Sequence, residues 1–168
     1  MPYTTRVLDH ELDELLDSLP ALAIEGPKGV GKTETASRRA TTIHRLDDPA
    51  RLGVAEADPR RLLDGRMPIL IDEWQRLPET WDLVRRAVDE GAAPESFLLT
   101  GSASPDDTGR HSGAGRIPTI RMRPLALEER LDGNASVSLR ELLRGTRPTL
   151  AGETSIGQQQ RTALARAI

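Results

Sequence analysis

The sequence predicts an α/β fold: a mainly parallel sheet of about five strands with helices on both faces. Three observations carry this. Short apolar runs recur along the 168 residues, at 21–24, 68–73, 96–100 and 117–122, each of strand length. Segments at helical spacing separate them, a rhythm that implies crossover connections and parallel pairing. The first apolar run leads straight into Gly26-Pro27-Lys28-Gly29-Val30-Gly31-Lys32-Thr33, and no Gly or Pro follows until after residue 43.

Taken in order, residues 10–19 (HELDELLDSL) place Leu12, Leu15, Leu16 and Leu19 on one side of a helix, which Pro20 ends. Residues 21–24 (ALAI) form a buried parallel strand. Residues 33–43 continue as a helix, and 42–46 overlap its end as a short second strand. Residues 47–65 are polar and broken by Pro49 and Pro59, with short helices expected around 51–57 and 59–63. Residues 68–73 (PILIDE) are the next buried strand. Residues 77–90 form a helix whose apolar stripe is Leu77, Trp81, Val84 and Val88. Residues 96–100 are a strand ending at Gly101, and 101–115 read as a Gly-, Ser- and Asp-rich loop. Residues 117–122 alternate as a strand. Residues 138–144 read as a last short helix, and the weakly apolar tail from 146 onward is expected to be poorly ordered or briefly helical.

The segment Gly26 to Thr33 matches the spacing G-x-x-x-x-G-K-[ST], a phosphate-binding loop. Gly26 and Gly31 let the backbone turn so that successive N–H groups of Pro27-Lys28-Gly29-Val30-Gly31 and beyond face one concavity, Pro27 contributing none. Lys32 supplies a point charge for phosphates, and the Thr33 hydroxyl suits Mg²⁺. Lysine is otherwise scarce: Lys28 and Lys32 are the only two among 23 basic residues, so a chance match is improbable by composition. Some 40 residues on, Ile69-Leu70-Ile71-Asp72-Glu73 carries an acid pair to the carboxyl end of a strand, where ligands bind in open α/β sheets. Asp72 is the candidate metal-shell acid and Glu73 the candidate residue that orients and polarises the attacking water.

Composition narrows the field. Four aromatic residues leave the core to Leu, Ile, Val and Ala, and zero cysteines exclude disulfides and thiolate metal sites. No apolar run approaches the ~20 residues of a membrane helix, and no signal peptide is visible. A cytoplasmic location is the expectation. A net charge of −3 gives no general electrostatic case for nucleic acid. His111 stands alone in its loop and lacks the partners of a metal site. Trp74 and Trp81 read as packing residues.

The stretches GPKGVGKT, ILIDEWQRLPETWDLVRRAVDE, FLLTGSASP, HSGAGRI and RMRPLALEE, in that order, resemble the prokaryotic AAA-family proteins labelled only "ATP-binding protein", in which an AAA module precedes a C-terminal domain of unknown function. The resemblance covers roughly residues 7–143. It implies a three-layer P-loop NTPase fold of the additional-strand, catalytic-glutamate class, with the strand before the phosphate loop placed centrally. It implies ATP rather than GTP, Mg²⁺ as cofactor, Gly26 to Thr33 as binding residues, and Asp72 and Glu73 as the acids. Thr100 takes the sensor 1 position, contacting the γ-phosphate or attacking water; the alternative is a Thr closing a strand before a turn. Arg116, after the Gly-rich loop, is a candidate to neutralise transition-state charge in a neighbouring subunit of a homo-oligomer; the alternative is a surface Arg at a strand start. Family members continue for roughly 200 residues past the module, whereas this sequence stops at Ile168 and 151–168 match nothing in the pattern. The expected organisation is therefore an AAA-type domain over 1–145, a tail over 146–168, and no C-terminal family domain. The leading functional reading is Mg²⁺-dependent ATP hydrolysis. The alternatives are an ATP switch with little hydrolysis, or an inactive fragment of a longer ATPase. The protein partner is not legible.

Overall fold

The computed structural model describes residues 3–102, 115–126, 129 and 142–145. Five strands form one all-parallel sheet: β1 (Ala21–Glu25), β2 (Thr42–Arg45), β3 (Ile69–Asp72), β4 (Phe97–Gly101) and β5 (Thr119–Arg121), in the order β2-β3-β4-β1-β5. Over residues 3–102 the helices are α1 (Leu8–Leu16), α2 (Lys32–Ser37), α3 (Pro49–Ala57) and α4 (Glu79–Asp89), with 3₁₀ turns at Pro59–Leu63 and Trp74–Arg76. This is the α/β P-loop arrangement. The strand preceding the phosphate loop, β1, is internal but not the middle one. β4 takes that place, inserted between β1 and the acid-bearing β3.

The pleat divides the core in two. Ala21, Ala23, Ile69, Ile71, Phe97 and Leu99 point to one face, against Trp74, Trp81 and Val84 and against Leu46, Ala55 and Leu62. Leu22, Ile24, Leu70 and Leu98 point to the other, against Leu12 and Leu16 of α1 and Ala36 of α2. In-register pairing sets Ala21 opposite Phe97 and Phe97 opposite Ile69, so each row across the sheet shares one face. Each buried Leu or Ile contributes about 1.5–3 kcal/mol. The two tryptophans pack on each other with ring centroids 5.0 Å apart, both buried.

Several boundaries differ from expectation. α1 starts earlier, because the Asp9 carboxylate accepts the Arg6 N–H at 2.7 Å. It ends at Leu16, and Leu19 and Pro20 then offer their carbonyls to Glu95 and Phe97. α2 stops at Ser37 rather than residue 43, since the β-branched run Thr41-Thr42-Ile43 is drawn to β3: both Thr41 and Thr42 N–H groups bond the Pro68 carbonyl. The expected helix from residue 77 begins at Glu79, preceded by the 3₁₀ turn. Of the expected helix 138–144, only Leu142, Leu143 and Arg144 are described, the two leucines being helical. The loop 103–114, with His111, and the tail 146–168 lie outside the described residues. Among the described residues no helix is long and apolar enough to cross a membrane.

Candidate functional site at the carboxyl edge of the sheet

Parallel pairing brings the carboxyl ends of β1, β3 and β4 to one edge. β1 delivers the loop from Gly26 to Gly31 there. Gly26 lies at φ 149°, and a Cβ on it would collide with the Met122 carbonyl beyond β5. Gly31 lies at φ 99° and starts α2 from a left-handed conformation. Pro27, Lys28 and Gly29 are exposed at the crest; Val30 and Gly31 are half-buried.

Lys32 is 6% exposed, and its ammonium donates to the carbonyls of Gly26 at 2.8 Å and Pro27 at 2.9 Å. The lysine thus spans the loop's concavity. Burial holds its pKa below the usual lysine range, and the charges of Glu73 and then Asp72 partly offset that.

Asp72, 3% exposed, is the hub of the other half. Its Oδ1 accepts the Thr33 hydroxyl at 2.8 Å and the Thr100 hydroxyl at 2.5 Å. Register explains the second contact: Asp72 and Thr100 are cross-strand partners at the ends of β3 and β4. Glu73 follows directly, half-buried, with its Oε2 accepting from the Gln75 amide. Lys32, Thr33, Asp72, Glu73 and Thr100 therefore converge across two strand spacings, about 10 Å.

Arg116, expected to act in a neighbouring subunit, lies outside this site within its own chain. It precedes β5, so it lies at the amino edge of the parallel sheet, half exposed and ion-paired with Asp89 at the end of α4. Within one chain Arg116 does not belong to this site.

Three residues near the loop escaped sequence reasoning. Arg6 is buried, ion-paired to Glu129 at 3.0 Å, and bonds the carbonyls of Val30 and Arg123 at 2.7 Å each. The Glu129 carboxylate also accepts the N–H groups of Val7 and Ala126. Those donors, with Arg6, hold its pKa below the ordinary glutamate value against the opposing effect of burial, which is the largest single influence. Tyr3 donates to Asp9 at 2.8 Å, shares a bond with Thr35 at 3.0 Å, and lies under the Arg38 guanidinium. Gln75 is the third. Arg6 and Tyr3 carry no motif and are found only by long-range contact; Gln75 lies within ILIDEWQRL, two residues from Glu73, and only its bond to Ser102 is long-range.

Two clefts flank the loop. One, about 400 Å³, is lined by Tyr3, Arg6, Val30, Gly31, Thr35 and Leu125 among others. The other, about 420 Å³, lies between Gly26, Pro27, Ser102 and Arg121 to Pro124. A larger, mostly apolar cavity of about 570 Å³ sits at the β2 edge, between His44, Leu46, Val54 and Leu62. It touches no element of the loop.

Comparison with known proteins agrees with this architecture. The family model described as "AAA domain" matches residues 18–131. Two curated relatives, uncharacterized proteins of Mycobacterium bovis and Mycobacterium tuberculosis, are each 33% identical over 147 residues, 82% of this chain and 32% of their own length. The chain spans about a third of the length of these curated relatives.

Proposed function

This chain belongs to the AAA domain family, and we propose that it binds ATP with Mg²⁺ and hydrolyses the γ-phosphate. The observation that carries the reading is the convergence of Lys32, Thr33, Asp72, Glu73 and Thr100 on one face of the phosphate loop. These residues have separate tasks. Loop N–H groups and Lys32 hold phosphate oxygens, and Lys32 exchanges its two carbonyl partners for them.

The donor set fits a hard divalent cation: a hydroxyl and a carboxylate joined by one hydrogen bond, beside the place the phosphates take. Among the described residues no group of three or more His, Asp or Glu residues is placed to hold a metal ion by itself, and Mg²⁺ at phosphates needs only one or two carboxylates. Thr33 and Asp72 would hold the ion, which neutralises phosphate charge when bound. Glu73 orients a water against the γ-phosphorus and takes its proton. The new P–O bond forms as the bond to the ADP oxygen breaks, and that oxygen keeps the electron pair. Thr100, fully buried, positions Asp72.

The acid pair and Lys32 mark the γ-phosphate end. The cleft lined by Tyr3, Thr35 and Leu125 opens beside the loop and would take the base. The test is phosphate release with ATP and Mg²⁺ against the Glu73→Gln variant. The expected result is ATP binding retained and turnover at least ~100-fold slower. Asp72→Asn should instead weaken Mg²⁺-dependent binding. Equal turnover in wild type and Glu73→Gln overturns the hydrolytic reading.

A further inference from the structure

We propose that Gln75 is the positioning residue for the Glu73 carboxylate, tying it to the end of β4. The inference rests on the reading of Glu73 as the residue that accepts the water proton.

Glu73 has φ 57° and ψ 43°, a left-handed conformation that non-glycine residues seldom take. Such residues persist where the surroundings hold them, and they concentrate at functional sites. The turn it makes carries the chain from β3 into the 3₁₀ turn Trp74–Arg76, which places Gln75 back beside it. The Gln75 amide nitrogen donates to Glu73 Oε2 and also to Ser102 Oγ at 3.2 Å. A primary amide has two hydrogens, and both are used. Ser102 lies just beyond Thr100, which grips Asp72 from the same strand. One end of β4 therefore holds both acids, Asp72 directly and Glu73 through Gln75.

The other end of the amide supports this assignment. Gln75 Oε1 is buried and has no hydrogen-bond partner among the described residues. Buried acceptors are normally satisfied. Here the side chain is placed for its donors at the expense of its acceptor. The amide packs into space that Gly101 leaves by lacking a side chain: a Cβ there would stand 2.5 Å from Gln75 Oε1 and 2.7 Å from Trp74 Nε1. A donor fixed on Oε2 leaves the second oxygen of Glu73 for the water.

A positioning residue acts on turnover, not on nucleotide affinity, and acts only through Glu73. The experiment compares Gln75→Met, which fills the space, and Gln75→Glu, which keeps the shape and removes the donors. ATP affinity by calorimetry and KM should stay within about twofold, while kcat falls about tenfold or more, the scale of a misplaced catalytic group. Placed in the Glu73→Gln background, Gln75→Met should lower the residual rate no further. The proposal is overturned if either folded variant keeps the wild-type kcat. It is also overturned if Gln75→Met slows the Glu73→Gln protein by the same factor as the wild type, which would mark general structural damage. Wild-type turnover in Glu73→Gln removes the functional reading itself; slow turnover there with an unaffected Gln75 variant removes only this inference.

Discussion

Lys32 shows how much one side chain can hold in reserve. Its amine lies among the carbonyls of Gly26 and Pro27, where burial lowers its pKa and the charges of Glu73 and Asp72 oppose that. Lys32→Ala should reduce ATP affinity by at least ~2 kcal/mol, the loss of charge-assisted contacts to phosphate. The thermal midpoint should stay near wild type, because the contacts removed are to loop carbonyls that water can reach. Titration calorimetry and a melting curve check both halves. Glu129 makes the opposite case, a charge that serves the fold. Its carboxylate pairs with the buried Arg6 and caps the N–H groups of Val7 and Ala126. Glu129→Gln leaves the guanidinium buried without its counter-charge and should cost about 3 kcal/mol. The pH dependence follows from the lowered pKa. A carboxyl that is more acidic folded than unfolded adds stability at pH above its unfolded value, and that stability is lost as pH falls through the folded value. Urea midpoints for wild type and variant should therefore differ at pH 7 and converge as pH drops below about 4.

At the scale of elements, the notable feature is how the N-terminal segment closes over the phosphate loop. Arg6 reaches from before α1 to Val30 and Arg123, and Tyr3 reaches to Thr35 in α2. These contacts shape the cleft proposed for the base. With the base seated there, base and phosphate recognition would be separate, and two ligands can tell them apart. Tyr3→Ala and Leu125→Ser should weaken ATP about tenfold, as stacking or apolar contact with a base is worth roughly 1–3 kcal/mol. Inorganic triphosphate, which lacks a base, should bind both variants as it binds wild type. If triphosphate weakens equally, the cleft is not the base seat. The loop and the two acids were legible beforehand because each sits within a short motif. The cleft was not, because Tyr3, Thr35 and Leu125 are dispersed in sequence and meet only through packing.

At the scale of the whole molecule, parallel pairing sorts residues between two edges. The phosphate loop, Asp72 and Thr100 go to the carboxyl edge; Arg116 goes to the amino edge with Asp89. A strand length of about 15 Å separates them, so only a second chain could bring Arg116 to a nucleotide. The ion pair with Asp89 is half exposed and contributes about 0–1 kcal/mol. The expected outcome is a specific activity independent of protein concentration, and Arg116→Ala turning over at the wild-type rate. A rate that rises with concentration, with activity regained on mixing Arg116→Ala with Glu73→Gln, would instead support a residue supplied in trans.

The sequence by itself determined the fold class, the phosphate loop and the acid pair. Each is a local pattern, apolar period, glycine spacing or strand end, whose physics needs only neighbouring residues. Tertiary structure decided which strands are adjacent, and with that the rest. Inserting β4 between β1 and β3 set Thr100 against Asp72. The left-handed turn at Glu73 put Gln75 on its carboxylate, and the sheet's direction sent Arg116 away. The contacts of Thr100 with Asp72 and of Gln75 with Ser102 join residues far apart in the chain. Such contacts are settled by which packing of the two sheet faces buries the most apolar surface, a sum over the whole molecule that no local stretch records.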